Sequence, residues 1–91
     1  MTVEVKIPVP LQEIVNGKNI VYCDSGEIIT IIKKISSEYP GFYNKLFSKL
    51  DKIKGYISIL VDGKNINDLK GIHTLVSNNQ KVDIIFAVVG G

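Results

Sequence analysis

Residues 27–41, with the sequence EIITIIKKISSEYPG, decide the fold. Four isoleucines recur at i, i+3, i+4 and i+7, which is the spacing of one face of an α-helix. They are Ile28, Ile31, Ile32 and Ile35. Asp24 and Ser25 are the expected N-cap residues, and Pro40 disfavours helix in the residue before it. Because isoleucine is a poor helix former by itself, burial against another layer must hold this helix.

The chain before this helix predicts a β-hairpin. Apolar and polar residues alternate over Val3–Val9, the period of a half-buried strand, and Pro8 and Pro10 mark its exit. Asn16-Gly17 is a strong hairpin-turn signal, and a second strand is expected over residues 19–23.

The chain after this helix predicts a short second helix and then more strands. Phe42, Leu46 and Leu50 would line one face of that helix, within residues 42–54. Tyr56–Val61 is almost continuously apolar, which favours a central strand. The remaining predicted elements are a turn at Asp62-Gly63, a short strand at 64–66, a looping segment with Leu69, Ile72 and Leu75, a polar turn at 77–80, and a last strand over Val82–Val88.

The order of these elements predicts the fold class. A hairpin, a helix and further strands favour an α+β β-grasp fold, in which a mixed sheet packs on one main helix. The first and last strands would pair in parallel at the centre of that sheet, through a right-handed crossover. We expect residues 1–91 to form a single domain with a flexible tail at about 88–91; pattern alone also permits other small α+β sandwiches.

Composition excludes several classes of function. The net charge is only +2, and every basic residue is a lysine, so nucleic acid is not an expected partner. No apolar run approaches the length that a membrane span needs. The lone Cys23 cannot form an internal disulfide and suits a reducing compartment, so we expect a cytoplasmic protein. No pattern of ligands predicts a metal site.

The last residues of the chain carry the main candidate chemistry. Gly90-Gly91 follows the apolar run 87–89, and a glycine pair has the largest backbone freedom and smallest cross-section of any dipeptide. An extended tail of four residues reaches about 13 Å, far enough to present the α-carboxylate to a distant active site. The alternative is a frayed chain end.

The whole chain resembles the MoaD/ThiS family of ubiquitin-like sulfur carriers. The resemblance is carried by the first strand and its exit, the helix and its stop, the third strand with its turn, and the diglycine tail. The residues are Val5-Lys6-Ile7-Pro8 with Leu11, Glu27-Ile28 through Tyr39-Pro40-Gly41, Tyr56 through Asp62-Gly63, and Ala87-Val88-Val89-Gly90-Gly91. The longer branch, with the carriers of cysteine synthesis and the archaeal small modifiers, is the most similar.

The resemblance implies a carrier rather than an enzyme. An adenylating enzyme of the ubiquitin-activating type would use ATP to activate the Gly91 carboxylate, and sulfur would then give a thiocarboxylate. A client such as a molybdopterin synthase large subunit, a cysteine synthase or a thiazole synthase, or a tRNA-thiolating enzyme, would take that sulfur. The chain itself would bind no cofactor and supply no catalytic residue. Departures from the family pattern are Asn78-Asn79 before the last strand, Phe86 where a proline is common, and the absence of an arginine near the exit of the first strand.

Several other residues are candidates for partner docking, sulfur transfer or electrostatic steering. Phe86, Val88 and Val89 would form an apolar docking surface for partners if the exit of the last strand is exposed, or else core. Cys23 is expected to be buried filler rather than a persulfide carrier, and His73 is expected to be a surface residue. Six lysines between Lys33 and Lys54 predict a solvated face or a patch that steers an acidic partner.

Two other functions remain open at this point. A ubiquitin-like modifier would be joined through Gly91 to lysines of other proteins. A non-catalytic interaction subunit would not use its diglycine tail at all.

Overall fold

A five-stranded mixed sheet with a helix across it forms the architecture of residues 2–87, the part of the chain that the computed structural model describes. The strands are β1 (Val3–Lys6), β2 (Ile20–Cys23), β3 (Gly26–Glu27), β4 (Ile57–Val61), β5 (Lys64–Asn65), β6 (Leu75–Val76) and β7 (Lys81–Phe86). The helices are α1 (Val9–Gln12), α2 (Ile28–Glu38) and α3 (Phe42–Leu46), with single 3-10 turns at Lys49–Asp51, Ile66–Asp68 and Gly71–His73.

Strand β7 lies at the centre of the sheet, whose order is β2-β1-β7-β4-β5. It pairs in parallel with β1, where Val5 lies opposite Val82, and antiparallel with β4, where Ile59 lies opposite Ile84. Strand β1 pairs antiparallel with β2 on its other side. The parallel pairing of the first and last strands confirms the predicted β-grasp topology.

Helix α2 packs its isoleucine face onto the sheet. The four residues of the predicted stripe, Ile28, Ile31, Ile32 and Ile35, are between 0% and 3% exposed. They share one buried cluster with side chains of β1, β4 and β7. Burying one such side chain contributes about 1.5–3 kcal/mol, against at most about 0.7 kcal/mol of unfavourable helix propensity. Packing therefore holds the helix, as the sequence predicts.

The start of α2 differs from the prediction. Asp24 and Ser25 do not cap the helix; its N-cap position is held by Glu27, whose side chain makes no capping hydrogen bond. Glu27 belongs to β3, which pairs antiparallel with β6, a strand within the segment predicted as looping. The Ile28 N–H consequently donates to the Thr74 carbonyl oxygen at 3.0 Å, so an adjacent segment satisfies a group that a cap residue usually satisfies.

The first strand is shorter than predicted. Strand β1 ends at Lys6, and Val9 begins α1 instead of continuing the alternation. Pro8 is extended, with φ −70° and ψ 154°, and Pro10 lies in the first turn of α1, where its missing N–H costs no hydrogen bond. Val9 is consequently 77% exposed.

Of the three residues predicted to form the buried face of the second helix, Leu50 is the one that is not buried. Helix α3 confirms the prediction for Phe42 and Leu46, which are fully buried. The chain then reverses through an isolated bridge between Phe47 and Ile53. Leu50 lies in this reversal with φ 60° and is 98% exposed, so the prediction that it packs with Phe42 and Leu46 is wrong.

The predicted turns at Asn16-Gly17 and Asp62-Gly63 each place two consecutive residues in the left-handed region. The φ values are 58° and 81° at Asn16 and Gly17, and 48° and 84° at Asp62 and Gly63. Such a pair of angles matches the type I′ turn and favours asparagine or aspartate followed by glycine. Asp62-Gly63 joins β4 directly to β5, as predicted, whereas Asn16-Gly17 follows α1 and precedes β2 by two residues.

Helices long and apolar enough to cross a bilayer do not occur within residues 2–87.

We predict that Ile32→Ala lowers the free energy of unfolding by about 2–5 kcal/mol, because it leaves a cavity between α2 and the sheet. Ile85→Ala is the control: Ile85 lies on β7 but is 46% exposed, so its loss should cost less than about 1.5 kcal/mol. Urea denaturation followed by circular dichroism measures both values. Equal losses for the two variants would contradict the assigned face of α2.

Candidate functional site at the end of the central strand

The predicted reactive residues follow the carboxyl end of β7 in the sequence. Phe86 lies opposite Ile57 in the β4–β7 ladder, and the Ala87 N–H donates to the Tyr56 carbonyl oxygen at 2.7 Å. The backbone is thus paired up to Ala87. Strand β7 ends at Phe86 rather than at Val88 as predicted. Residues 88–91, which include the predicted site residues Val88, Val89, Gly90 and Gly91, lie outside the described residues.

Phe86 is half-buried, which lies between the two predicted alternatives, an exposed docking surface and a core residue. Its side chain packs against the hydrophobic core. Its ring also contacts the ring of Tyr56, with centroids 5.7 Å apart and planes tilted by 54°. Tyr56 is 44% exposed, so the pair joins the core to the surface at the point where β7 ends. The role of Phe86 in partner docking stays a prediction.

A shallow depression adjoins Phe86 on the side of the first strand. Its lining includes the apolar residues Pro8, Pro10 and Ile85, and also the charged residues Lys6 and Asp83. Lys6 and Asp83 are register partners across the parallel β1–β7 pair, so opposite charges face each other there. The depression offers apolar contact area beside the end of β7, with a balanced pair of charges.

Sequence reasoning missed Tyr56, Pro8 and Ile85 as members of this site. The alternation of β7 could have placed Ile85, since its neighbours Val82 and Ile84 point to the core and Ile85 must point away. Tyr56 and Pro8 come from other parts of the chain, and only the pairing of β1, β4 and β7 brings them to the same end.

Cys23 lies at the opposite end of the sheet. It is opposite Val3, near the start of β7, and its side chain is half-buried. Burial raises the pKa of the Cys23 thiol, and the negative charge of Asp24 adds to this effect. A raised pKa favours the protonated thiol, which is less nucleophilic than the thiolate. The nearby positive charge of Lys34 acts in the opposite direction but is the smallest of the three effects, so these surroundings do not favour Cys23 as a persulfide carrier.

His73 also lies away from the end of β7. It occupies a 3-10 turn and is exposed, as predicted, and its Nδ1 lies 2.7 Å from the Glu27 Oε1. This contact joins the turn to β3, so the described partner of His73 gives it a surface structural role. Within residues 2–87, histidine, cysteine and carboxylate side chains form no cluster that could hold a metal ion.

Part of the predicted lysine patch is neutralised by acidic neighbours. Lys33 Nζ lies 3.8 Å from Asp51 Oδ2, and Lys34 Nζ lies 3.5 Å from Asp24 Oδ2. Lys33 also lies over the ring of Tyr43, with its Nζ 5.9 Å from the centroid. Exposed pairs of this kind contribute about 0–1 kcal/mol each, so the patch is a solvated surface with local pairing.

A family sequence model and the sequences of known proteins indicate the same family. The sequence model of the ThiS family matches residues 5–91. The chain is 26% identical to the sulfur carrier protein CysO of Mycobacterium tuberculosis over 93 aligned positions, which cover all of both chains.

Solved structures match over almost the whole chain. A chain of the BexX/CysO complex of Amycolatopsis orientalis superposes with a TM-score of 0.91 and 25% identity, covering 98% of this chain and 99% of that one. The small archaeal modifier protein 1 of Methanosarcina acetivorans gives a TM-score of 0.83 and 28% identity, covering 99% and 96%.

We predict that Phe86→Ala lowers the free energy of unfolding by about 1.5–2.5 kcal/mol, roughly half the cost of truncating a fully buried phenylalanine. The half-buried ring loses its contacts with the core and with Tyr56. Phe86→Leu, which keeps an apolar side chain, should lose less than Phe86→Ala. Urea denaturation measures both, and an unchanged stability in Phe86→Ala would contradict the packing described for this ring.

Proposed function

The chain belongs to the ThiS family of sulfur carriers, and from this premise we propose that its working group is the α-carboxylate of Gly91. An adenylating enzyme of the ubiquitin-activating type uses ATP to activate that carboxylate. A sulfide equivalent then replaces AMP, and the chain carries the sulfur as a C-terminal thiocarboxylate. The chain acts as a co-substrate of its partners, as carriers do, and ATP binds to the activating enzyme.

The single observation that carries the proposal is the position of Ala87. Its N–H is bonded to Tyr56 at the end of the central strand, and four residues follow it in the sequence. Four residues span at most about 13–14 Å. The carboxylate can therefore enter a partner's active site while the folded domain stays outside.

The chemistry requires little from the carrier itself. In the first step a carboxylate oxygen of Gly91 bonds to the α-phosphorus of ATP, and pyrophosphate leaves. In the second step sulfur bonds to the carbonyl carbon, and AMP leaves with the bonding electron pair. Gly90 and Gly91 carry no Cβ that would crowd the approach to this carbonyl. The acid, base and metal ions for both steps belong to the activating enzyme.

The docking surface is the half-buried Phe86 with its neighbours. Together with Tyr56, Pro8 and Ile85 it offers apolar area beside the point where the tail begins. Val88 and Val89 continue this apolar sequence towards Gly90. A partner that contacts both the surface and the tail gains affinity from the surface, whereas the reaction depends on the carboxylate. Mutations of the surface and of the tail should therefore affect binding and reaction separately.

The sulfur goes to a biosynthetic synthase in the cytoplasm. The candidate clients are a molybdopterin synthase large subunit, a cysteine synthase, a thiazole synthase and a tRNA-thiolating enzyme. If the gene for one of these clients lies beside the gene for this chain, that client is the one the chain serves.

A protein modifier is the second candidate function. The 28% identity to an archaeal small modifier over 99% of this chain favours it. Conjugation would use the same activated carboxylate, with a lysine amine in place of sulfur. Diglycine remnants of this chain on target lysines, found by mass spectrometry of digested cell protein, would support this function.

We predict that the chain exchanges one oxygen for one sulfur when it is incubated with the activating enzyme, Mg-ATP and a sulfide donor. Intact-mass measurement shows this as the mass difference between the two atoms. The exchange should be lost in a chain that lacks Gly91, because the new terminus ends one residue short. Phe86→Ala should slow the exchange but finally show the same gain in mass, since it weakens docking and leaves the carboxylate in place.

The control is a second carrier on which the same preparation of activating enzyme is active. If that carrier gains sulfur and this chain does not, the proposed role of Gly91 is wrong. If the chain that lacks Gly91 gains sulfur as fast as the full chain, the reactive group is elsewhere.

A further inference from the structure

The two edges of the five-stranded sheet differ in how they are protected. Strand β5 is two residues long and begins with Lys64, directly after a tight turn. Strand β2 is four residues long, with the sequence IVYC, and has no lysine, proline or bulge. Proteins commonly protect long edges with such features, because an open edge pairs with other strands. Strand β2 therefore offers an edge that is open to pairing.

The hydrogen-bond phase shows which groups of β2 face outward. The Ile7 N–H donates to the Asn19 carbonyl oxygen at 2.8 Å, on the side of β1. Because bonding direction alternates along an antiparallel strand, Val21 and Cys23 also face β1, and Ile20 and Tyr22 face away from it. Within residues 2–87, the backbone groups of Ile20 and Tyr22 have no described cross-strand partner.

We propose that β2 pairs with β2 of a second copy of this chain, antiparallel and about a two-fold axis at Val21. Ile20 of each copy then lies opposite Tyr22 of the other, and the outward N–H and C=O groups exchange about four backbone hydrogen bonds. Val21 lies opposite its own counterpart on the helix side of the sheet. The two five-stranded sheets become one continuous sheet.

The charges that flank β2 favour this register. Lys18 precedes the strand and Asp24 follows it, and both are exposed. Within its own chain Lys18 Nζ donates to the Tyr39 hydroxyl at 2.9 Å, and Asp24 pairs with Lys34 at 3.5 Å. An exposed ion pair of this kind contributes only about 0–1 kcal/mol, so Asp24 can exchange its partner at the junction. With Ile20 opposite Tyr22, Lys18 of each copy lies opposite Asp24 of the other. A shift by two residues either way puts Asp24 opposite Ile20 or Lys18 opposite Tyr22, and the opposite charges no longer meet. Tyr22, 61% exposed, would gain an apolar cross-strand neighbour in Ile20.

The pairing leaves the proposed carboxyl-terminal chemistry accessible. The two-fold axis runs perpendicular to the sheet, so the carboxyl ends of the two β7 strands point in opposite directions. Each β7 is separated from the new junction by β1 and β2 of its own copy. The association of two copies does not depend on the proposed role of Gly91.

Sedimentation equilibrium between about 10 µM and 1 mM tests the association, since an interface this small should give a Kd on the order of 100 µM. Tyr22→Pro removes the tyrosine side chain and, of the backbone hydrogen-bonding groups, only an outward N–H. It therefore keeps every hydrogen bond of the chain's own ladder and should raise the Kd at least about ten-fold. Tyr22→Ala keeps that N–H and is the matched control, with a smaller effect. Circular dichroism checks that both variants are folded.

A cross-link tests the register independently of any disruptive variant. Asn19 is exposed, and in the proposed dimer it lies opposite the native Cys23 of the second copy. Such pairs have Cα atoms about 4.5 Å apart, within the range for a disulfide. Asn19→Cys should therefore form a disulfide-linked dimer under mild oxidation. Within one chain the two thiols would lie about 13 Å apart, too far to bridge.

Asn67→Cys, on an exposed turn elsewhere, is the control for random collisions. A cross-linked fraction no larger than that of the control would overturn the proposal. So would a wild-type chain that stays monomeric up to about 1 mM, where the expected Kd predicts mostly dimer. In that case the open edge of β2 would be available to pair with a strand of another protein.

Discussion

The parallel pairing of β1 and β7 is the interaction on which the rest of the structure depends. It places the last strand in the centre of the sheet, bonded to β1 on one side and to β4 on the other. The pairing with β1 covers Lys81–Asp83, and the pairing with β4 continues from Val82 to Phe86. The Ala87 N–H extends the β4 side by one more bond, to the Tyr56 carbonyl oxygen, so the backbone is held up to Ala87.

Short-range patterns in the sequence were enough for most elements of the fold. The isoleucine spacing of α2, the apolar run of β4 and the Asp62-Gly63 turn depend on neighbouring residues, and each was placed within about two residues. The N-cap of α2 was predicted wrongly because the Ile28 N–H bonds to Thr74, which lies far along the chain. Leu50 was missed because helical spacing continues past the point where Phe47 and Ile53 reverse the chain.

The candidate site was only partly predictable for the same reason. Phe86 and the diglycine could be found because they lie within the same six-residue stretch, 86–91, and the family resemblance gave Gly91 its proposed role. Tyr56 and Pro8 reach the same place only through the pairing of β4 and β1 with β7. The sequence was thus sufficient to find the diglycine tail, but not the surface around the end of β7, where that tail begins.

The most direct test of the central claim is ATP–pyrophosphate exchange catalysed by the activating enzyme, with the carboxylate of this chain as the acceptor of the adenylyl group. The full chain should support exchange, and a chain with one alanine appended after Gly91 should not, since its fold is unchanged but its terminal carboxylate is displaced. Equal exchange with the two chains would contradict the account, because the reactive group could not then be the Gly91 carboxylate.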